Sequence, residues 1–102
     1  MRILIAEDDF VSRKIIMHIL KDYGICDVAV NGTEALEAFK KGADEGKSYD
    51  LICLDIMMPH MDGQDVLKAV RQIETRKNVH VMDQVKIIMI SALQDKGNIM
   101  QA

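Results

Sequence analysis

The sequence predicts an α/β protein built on a doubly wound parallel sheet, and three observations carry that prediction. Short apolar runs alternate four times with segments of helical spacing along the 102 residues. The runs are short and continuous, as in strands covered on both faces. Repeated strand–helix units of this kind make a parallel sheet with helices packed on both sides. The first and third runs also end in carboxylates, Glu7-Asp8-Asp9 and Asp55.

The elements follow in order. Residues 3–6 form the first strand. A helix over 10–23 places Val11, Ile15 and Ile19 four apart, with Ile16 and Leu20 completing an inward stripe. Asp9 or Ser12 can cap its start, and Gly24 suits the position after its end. A second strand covers 27–30. Asn31-Gly32 makes a turn, and Thr33 can cap a second helix in which Ala35, Leu36 and Phe39 face inward. Lys40-Lys41-Gly42 ends that helix, and 43–48 is a polar loop.

The third strand covers 51–54. A third helix runs from 64 to about 76, with Val66, Leu67, Val70 and Ile73 at helical spacing. Residues 75–84 form an irregular, mostly exposed connection. The fourth strand covers 85–90, Ser91 follows it, and a fourth helix starts near Gln94.

The bulk numbers bound the function. A chain of 102 residues is one domain, 1–102. Aromatic residues are 4% of it, so the core is aliphatic and methionine-rich. A net charge of −3 provides no electrostatic footprint for nucleic acid. Cys26 and Cys53 have no metal-ligand spacing, and Cys53 packs as a small hydrophobe in its strand. Unpaired cysteines suit the reducing cytoplasm. The chain enters a strand at once, leaving no room for a signal peptide. No apolar run approaches the roughly 18 residues of a membrane span.

In a doubly wound sheet, ligands bind beyond the carboxyl ends of the strands, at the point where strand order reverses. Glu7, Asp8, Asp55 and Ser91 all fall at that end. Crowded carboxylates repel one another, and a hard divalent cation relieves the repulsion. Mg²⁺ suits a site of a few carboxylates completed by waters and phosphate oxygens. Asp55 is then a candidate nucleophile for a phosphoryl group, forming an aspartyl phosphate. The Ser91 hydroxyl can donate to a phosphoryl oxygen, and small Ala92 leaves that group room.

These residues resemble the receiver domain of two-component response regulators. The resemblance rests on Ile3-Leu4-Ile5-Ala6-Glu7-Asp8-Asp9, on Asp55-Ile56-Met57-Met58-Pro59-His60-Met61-Asp62-Gly63, and on Ile87-Ile88-Met89-Ile90-Ser91-Ala92. Asn31-Gly32-Thr33-Glu34-Ala35-Leu36 is similar to the family's second strand-to-helix turn. The resemblance spans the whole chain in the right order and implies a flavodoxin-like receiver fold.

It also implies roles. Asp55 is the phosphoacceptor and Ser91 the switch hydroxyl. Asp8, Asp55 and the Met57 backbone carbonyl hold Mg²⁺ or Mn²⁺ directly, and Glu7 holds it through water. Asp9 is the alternative if the strand ends one residue later. Pro59 and Gly63 shape the loop after Asp55. The partners are a sensor histidine kinase or a phosphotransfer protein, and a downstream protein or attached effector domain. No contact with nucleic acid or membrane is implied.

The family's fifth strand, with its lysine, and its fifth helix have no counterpart here, so four of five strand–helix units are present. The fold is expected to be incomplete at its C-terminus, with the fourth strand as a sheet edge. Dimerisation or domain swapping is one way to cover that edge.

Each motif residue also has a plain structural reading. Asp9 and Asp62 can simply cap helices, as can Ser91. His18, His60 and His80 read as solvated residues. Met58 packs as core, while Met57 and Met61 can offer an adaptable partner surface. Two other functions compete with the switch. One is a degenerate receiver that only docks proteins. The other is an aspartyl-nucleophile phosphohydrolase, which would usually carry a second acid where this chain has Met57.

Overall fold

Strand β1 (Arg2–Ala6) is the middle of the molecule because Ile3, Leu4, Ile5 and Ala6 are all buried. The computed structural model describes residues 1–58 and 61–90. Among these, β1 pairs with β2 (Ile25–Ala29) on one side and β3 (Leu51–Asp55) on the other, and β3 pairs with β4 (Lys86–Ile90). All pairings are parallel and the order is β2-β1-β3-β4. The chain thus steps from β1 to β2 and then returns to β1's other side with β3. The crevice at the carboxyl ends of β1 and β3 is the switch point of a doubly wound sheet.

Helices cover both faces. Leu4, Ala6, Ile52 and Leu54 share one core with Ala35 and Phe39 of α2 (Gly32–Asp44) and Val66, Val70 and Ile73 of α3 (Gly63–Arg76). Ile3, Ile5 and Cys53 point the other way, against Ile16, Met17 and Leu20 of α1 (Phe10–Leu20). Burying each Leu, Ile, Val or Phe side chain among these stabilises the fold by about 1.5–3 kcal/mol. Met58 joins the larger core, as its apolar side chain predicts.

Three expectations are corrected: part of the α1 stripe, the cap of α2 and the start of the second strand. The α1 stripe is Ser12, Ile16 and Leu20, so Ile16 and Leu20 face inward as expected and Ser12 is buried, whereas Val11, Ile15 and Ile19 are exposed. Two adjacent rows, 11/15/19 and 12/16/20, have the same four-residue spacing. Periodicity alone does not choose between them, and the sheet does. Of the two caps open for α1, Asp9 takes the role and accepts from the Ser12 amide at 2.8 Å, while α2 is capped by Asn31 in place of Thr33, accepting from the Glu34 amide at 2.8 Å. A side-chain oxygen of each, a carboxylate oxygen of Asp9 and the amide oxygen of Asn31, accepts from the first-turn amide three residues on. The second strand starts at Ile25 because its amide reaches the Met1 carbonyl at 2.9 Å.

The connection before β4 is more ordered than its composition suggests. Buried Glu74 accepts from the Val85 amide at 2.7 Å and from Arg71 at 2.6 Å, tying α3 to the entry of β4. Asn78 takes a left-handed φ of 55°. That lets the Val79 amide close back on the Glu74 carbonyl at 3.0 Å, a helix end that asparagine tolerates. A single 3-10 turn (Val81–Asp83) follows, with Val81 and Met82 exposed as expected of this segment. Ser91 and the expected fourth helix lie outside the described residues, as do Pro59 and His60.

Candidate phosphoacceptor and metal site

The alternation of a strand places the site. Residues 3 and 5 face α1, so the next residue of that series, Glu7, emerges on the same face at the carboxyl end of β1. Cys53 faces α1 too, and Asp55 follows it by two on β3. Two adjacent parallel strands thus deliver carboxylates to one corner. Glu7, Asp8 and Asp55 each bring an oxygen to within 4.8 Å of the others. Glu7 and Asp55 are 1% exposed, while Asp8 is open to solvent.

Backbone contacts hold the corner in shape. The Glu7 amide donates to the Ala29 carbonyl at 3.1 Å, and the Ile56 amide to the Ile90 carbonyl at 3.0 Å. The Asp9 amide donates to Glu7 Oε2 at 3.0 Å, and the Met57 amide to Asp55 Oδ1 at 3.1 Å. Gly63 allows α3 to start close by. A Cβ there would meet the Asp55 carbonyl oxygen at 2.6 Å, so only glycine fits. The Gly63 amide donates to the Ile56 carbonyl at 3.0 Å, and Asp62 caps the helix through the Asp65 amide at 3.0 Å.

The electrostatics are those of a crowded acidic cluster with two of its three carboxylates buried. Burial, helped by the neighbouring Asp55 carboxylate, pushes the Glu7 carboxyl up to about 7. Burial raises Asp55 as well, against the opposing effects of Glu7 and of the Met57 amide. Asp9 moves the other way: hydrogen bonding to Ser12 at the helix cap lowers it. Asp55 Oδ2 is buried with no hydrogen-bond partner.

That orphaned oxygen is what a cation or phosphoryl site should show, since a buried carboxylate oxygen without a partner is costly. Among the described residues no cation lies within ion-pair distance of the three carboxylates. Oxygen donors of this kind suit a hard divalent ion such as Mg²⁺.

The structure therefore brings together Glu7, Asp8 and Asp55 among the residues singled out from sequence. Asp9 is engaged as the α1 cap, and Met57 is 53% exposed beside Asp55. Ser91 lies outside the described residues. Sequence reasoning did not single out Arg13, whose guanidinium donates to the Glu7 carbonyl at 3.0 Å. Its only sequence signal is a position in the first turn of the helix that follows the acidic run.

A doubly wound sheet with buried carboxylates at its switch point defines a class, and the comparisons with known proteins name it. The chain belongs to the response regulator receiver domain family, whose family model matches residues 3–102. It is therefore a receiver domain of two-component signalling.

It is 51% identical over 74 residues to hybrid signal transduction histidine kinase B of Dictyostelium discoideum, covering 72% of this chain and 4% of that kinase. It is 36% identical over 103 residues to chemotaxis protein CheY of Bacillus subtilis, covering 99% of this chain and 75% of that protein. The chain thus spans a small fraction of the hybrid kinase and most of the chemotaxis protein.

Two solved structures are similar in shape. One is the receiver domain of the histidine kinase CKI1 from Arabidopsis thaliana, complexed with Mg²⁺ and BeF₃⁻. Its TM-score is 0.73 at 26% identity, covering 98% of this chain and 74% of that one. The other is the receiver domain of Ssk1 from Saccharomyces cerevisiae, in a co-crystal with the phosphotransfer protein Ypd1. Its TM-score is 0.71 at 26% identity, covering 89% and 61%.

Proposed function

We propose that this receiver accepts a phosphoryl group on Asp55 from a phosphohistidine and thereby switches the surface it offers to partners. The observation that carries the reading is the buried, unpartnered Asp55 Oδ2 within a cluster of three carboxylates at the switch point of the sheet. Asp8, Asp55 and the Met57 carbonyl would hold Mg²⁺ directly, with Glu7 reaching it through water. Bound there, the ion would screen the repulsion between carboxylates and an incoming phosphoryl group.

The chain's own residues do the rest. An Asp55 oxygen attacks phosphorus in line, forming an O–P bond as the P–N bond to the donor histidine breaks. The bonding electron pair returns to the imidazole nitrogen. The Met57 amide, 3.1 Å from Oδ1, holds the carboxylate in orientation. Burial of Glu7 and Asp55 keeps bulk water from the cluster floor. Ser91, the residue after Ile90, would donate its hydroxyl to the phosphoryl group. That contact would bias a pre-existing equilibrium between two surfaces.

The donor would be a sensor histidine kinase or a phosphotransfer protein. The Ypd1 co-crystal of a similar receiver supports that class of partner. The similarity to hybrid kinases supports a place in a phosphorelay. The output would pass to a downstream protein or an attached effector domain. This is a signalling module in the cytoplasm and not a turnover enzyme. Among the described residues no helix is long and apolar enough to cross a membrane.

The test is incubation with acetyl phosphate and Mg²⁺ followed by intact mass. One phosphoryl group should be gained, and the gain should vanish in Asp55→Asn and without divalent ion. A wild-type chain that stays unmodified, also when extended at its C-terminus, would leave a docking module as the better reading.

A further inference from the structure

We propose that Arg13 is a positioning residue for the acidic cluster, acting through the backbone that carries Glu7 and Asp8. This rests on reading Glu7, Asp8 and Asp55 as a divalent-cation site. Arg13 sits in the first turn of α1, half-buried. One guanidinium nitrogen donates to the Glu7 carbonyl at 3.0 Å and lies 3.5 Å from the Asp8 carbonyl. The guanidinium also lies 5.5 Å from the Phe10 ring centroid, which steadies it on the helix side.

A cation beside three carboxylates would be expected to pair with one of them. Arg13 does not: among the described residues it makes no ion pair within 4.0 Å. Its bond goes to main-chain oxygens and leaves the carboxylate oxygens facing one another. A flexible loop with two adjacent acids would splay under their repulsion. A charge-assisted bond to the carbonyls resists that movement without occupying the ligand atoms. The same loop is held at Glu7 by its amide bond to Ala29, at 3.1 Å. Arg13 supplies the second anchor, from the helix side. Partners of this outer kind orient ligands and tune affinity.

The test measures Mg²⁺ dissociation constants by amide shifts of Asp9 and Met57, for wild type, Arg13→Ala and Arg13→Lys. Hydrogen exchange of the Asp9 amide is followed in metal-free protein, and unfolding midpoints serve as a control. Arg13→Ala should weaken Mg²⁺ about tenfold, the lower end for outer partners of metal ligands. It should also speed exchange of the Asp9 amide, which reports the bond to Glu7 Oε2. Arg13→Lys, which keeps a cationic donor, should recover most of both.

Unchanged or tighter Mg²⁺ binding in Arg13→Ala overturns the proposal. Tighter binding would make Arg13 an electrostatic competitor of the ion. A lowered unfolding midpoint with an unchanged Mg²⁺ constant would make it a structural brace. If wild type shows no Mg²⁺ response, the cation reading itself fails. The Asp9 exchange rate then decides whether Arg13 fixes the loop, and equal rates in wild type and Arg13→Ala reject it.

Discussion

The two ends of the sheet treat carboxylates in opposite ways. Toward the end where β1 begins, Asp27 in the middle of β2 is matched by residues of that end: Tyr49 donates to it at 2.6 Å and Arg2 lies 3.2 Å away. Arg2 also sits over the Tyr49 ring at 4.6 Å, and its amide donates to Asp50 at 2.8 Å. At the other end, Glu7, Asp8 and Asp55 face one another with no ion pair to any of them among the described residues. Matched charge closes a surface and contributes modestly to stability, about 0–1 kcal/mol for an exposed pair. Unmatched buried charge costs stability and makes a place for a ligand.

The largest expected contrast is chemical. Asp55→Asn should abolish phosphoryl uptake from acetyl phosphate, while Asp27→Asn, at the matched end, should leave uptake intact. Loss of uptake in both variants, measured by intact mass, would erase the distinction between the ends.

Gly63→Ala should come next. The added Cβ would lie 2.6 Å from the Asp55 carbonyl oxygen, so strand or helix must shift. A destabilisation of about 1–3 kcal/mol is expected from such overpacking. The uptake rate should fall with it, read by urea unfolding and by mass. Full activity at wild-type stability would show that the α3 start does not shape the site.

The acidic end should also respond to pH. Glu7 holds its proton up to about pH 7 in the folded chain, against an ordinary value of 4.5. Its contribution to stability is then fully present below pH 4.5 and is lost as pH rises through 7. Metal-free protein should therefore show a falling melting temperature over that window. Glu7→Gln should flatten the fall, and a parallel decline in that variant would assign the titration elsewhere. Mg²⁺ binding should strengthen over the same window, because the ion competes with the proton.

The smallest effect belongs to the matched end. Tyr49→Phe removes one hydrogen bond to Asp27 and should cost about 0.5–1.5 kcal/mol. Phosphoryl uptake should stay unchanged. A change in uptake rate would mean that the two ends are coupled through β1 and β3.

Much of this was legible in the chain because parallel strands buried on both faces leave continuous apolar runs. Residues 3–6 and 51–54 therefore announced β1 and β3, and with them the carboxylates that follow. The family resemblance then assigned roles to Asp55, Asp8 and Glu7. Their mutual approach follows from topology, since β1 and β3 are neighbours with aligned ends.

Other features depended on contacts distant in sequence. Which row of α1 faces inward was undecidable from spacing, because 11/15/19 and 12/16/20 are both compatible with an amphipathic helix. The sheet chose the second row and left Val11, Ile15 and Ile19 in solvent. Glu74 carries no motif in the sequence, and only its bond to the Val85 amide, eleven residues on, accounts for its place in the interior. Arg13 had no motif, and only the turn of α1 back over the end of β1 brings it to the Glu7 carbonyl. The order of local elements is written in periodicity and turn chemistry, which act over a few residues. The inward face, the buried anchor and the brace on the acidic loop were decided by tertiary structure, because each depends on a surface supplied by another part of the chain.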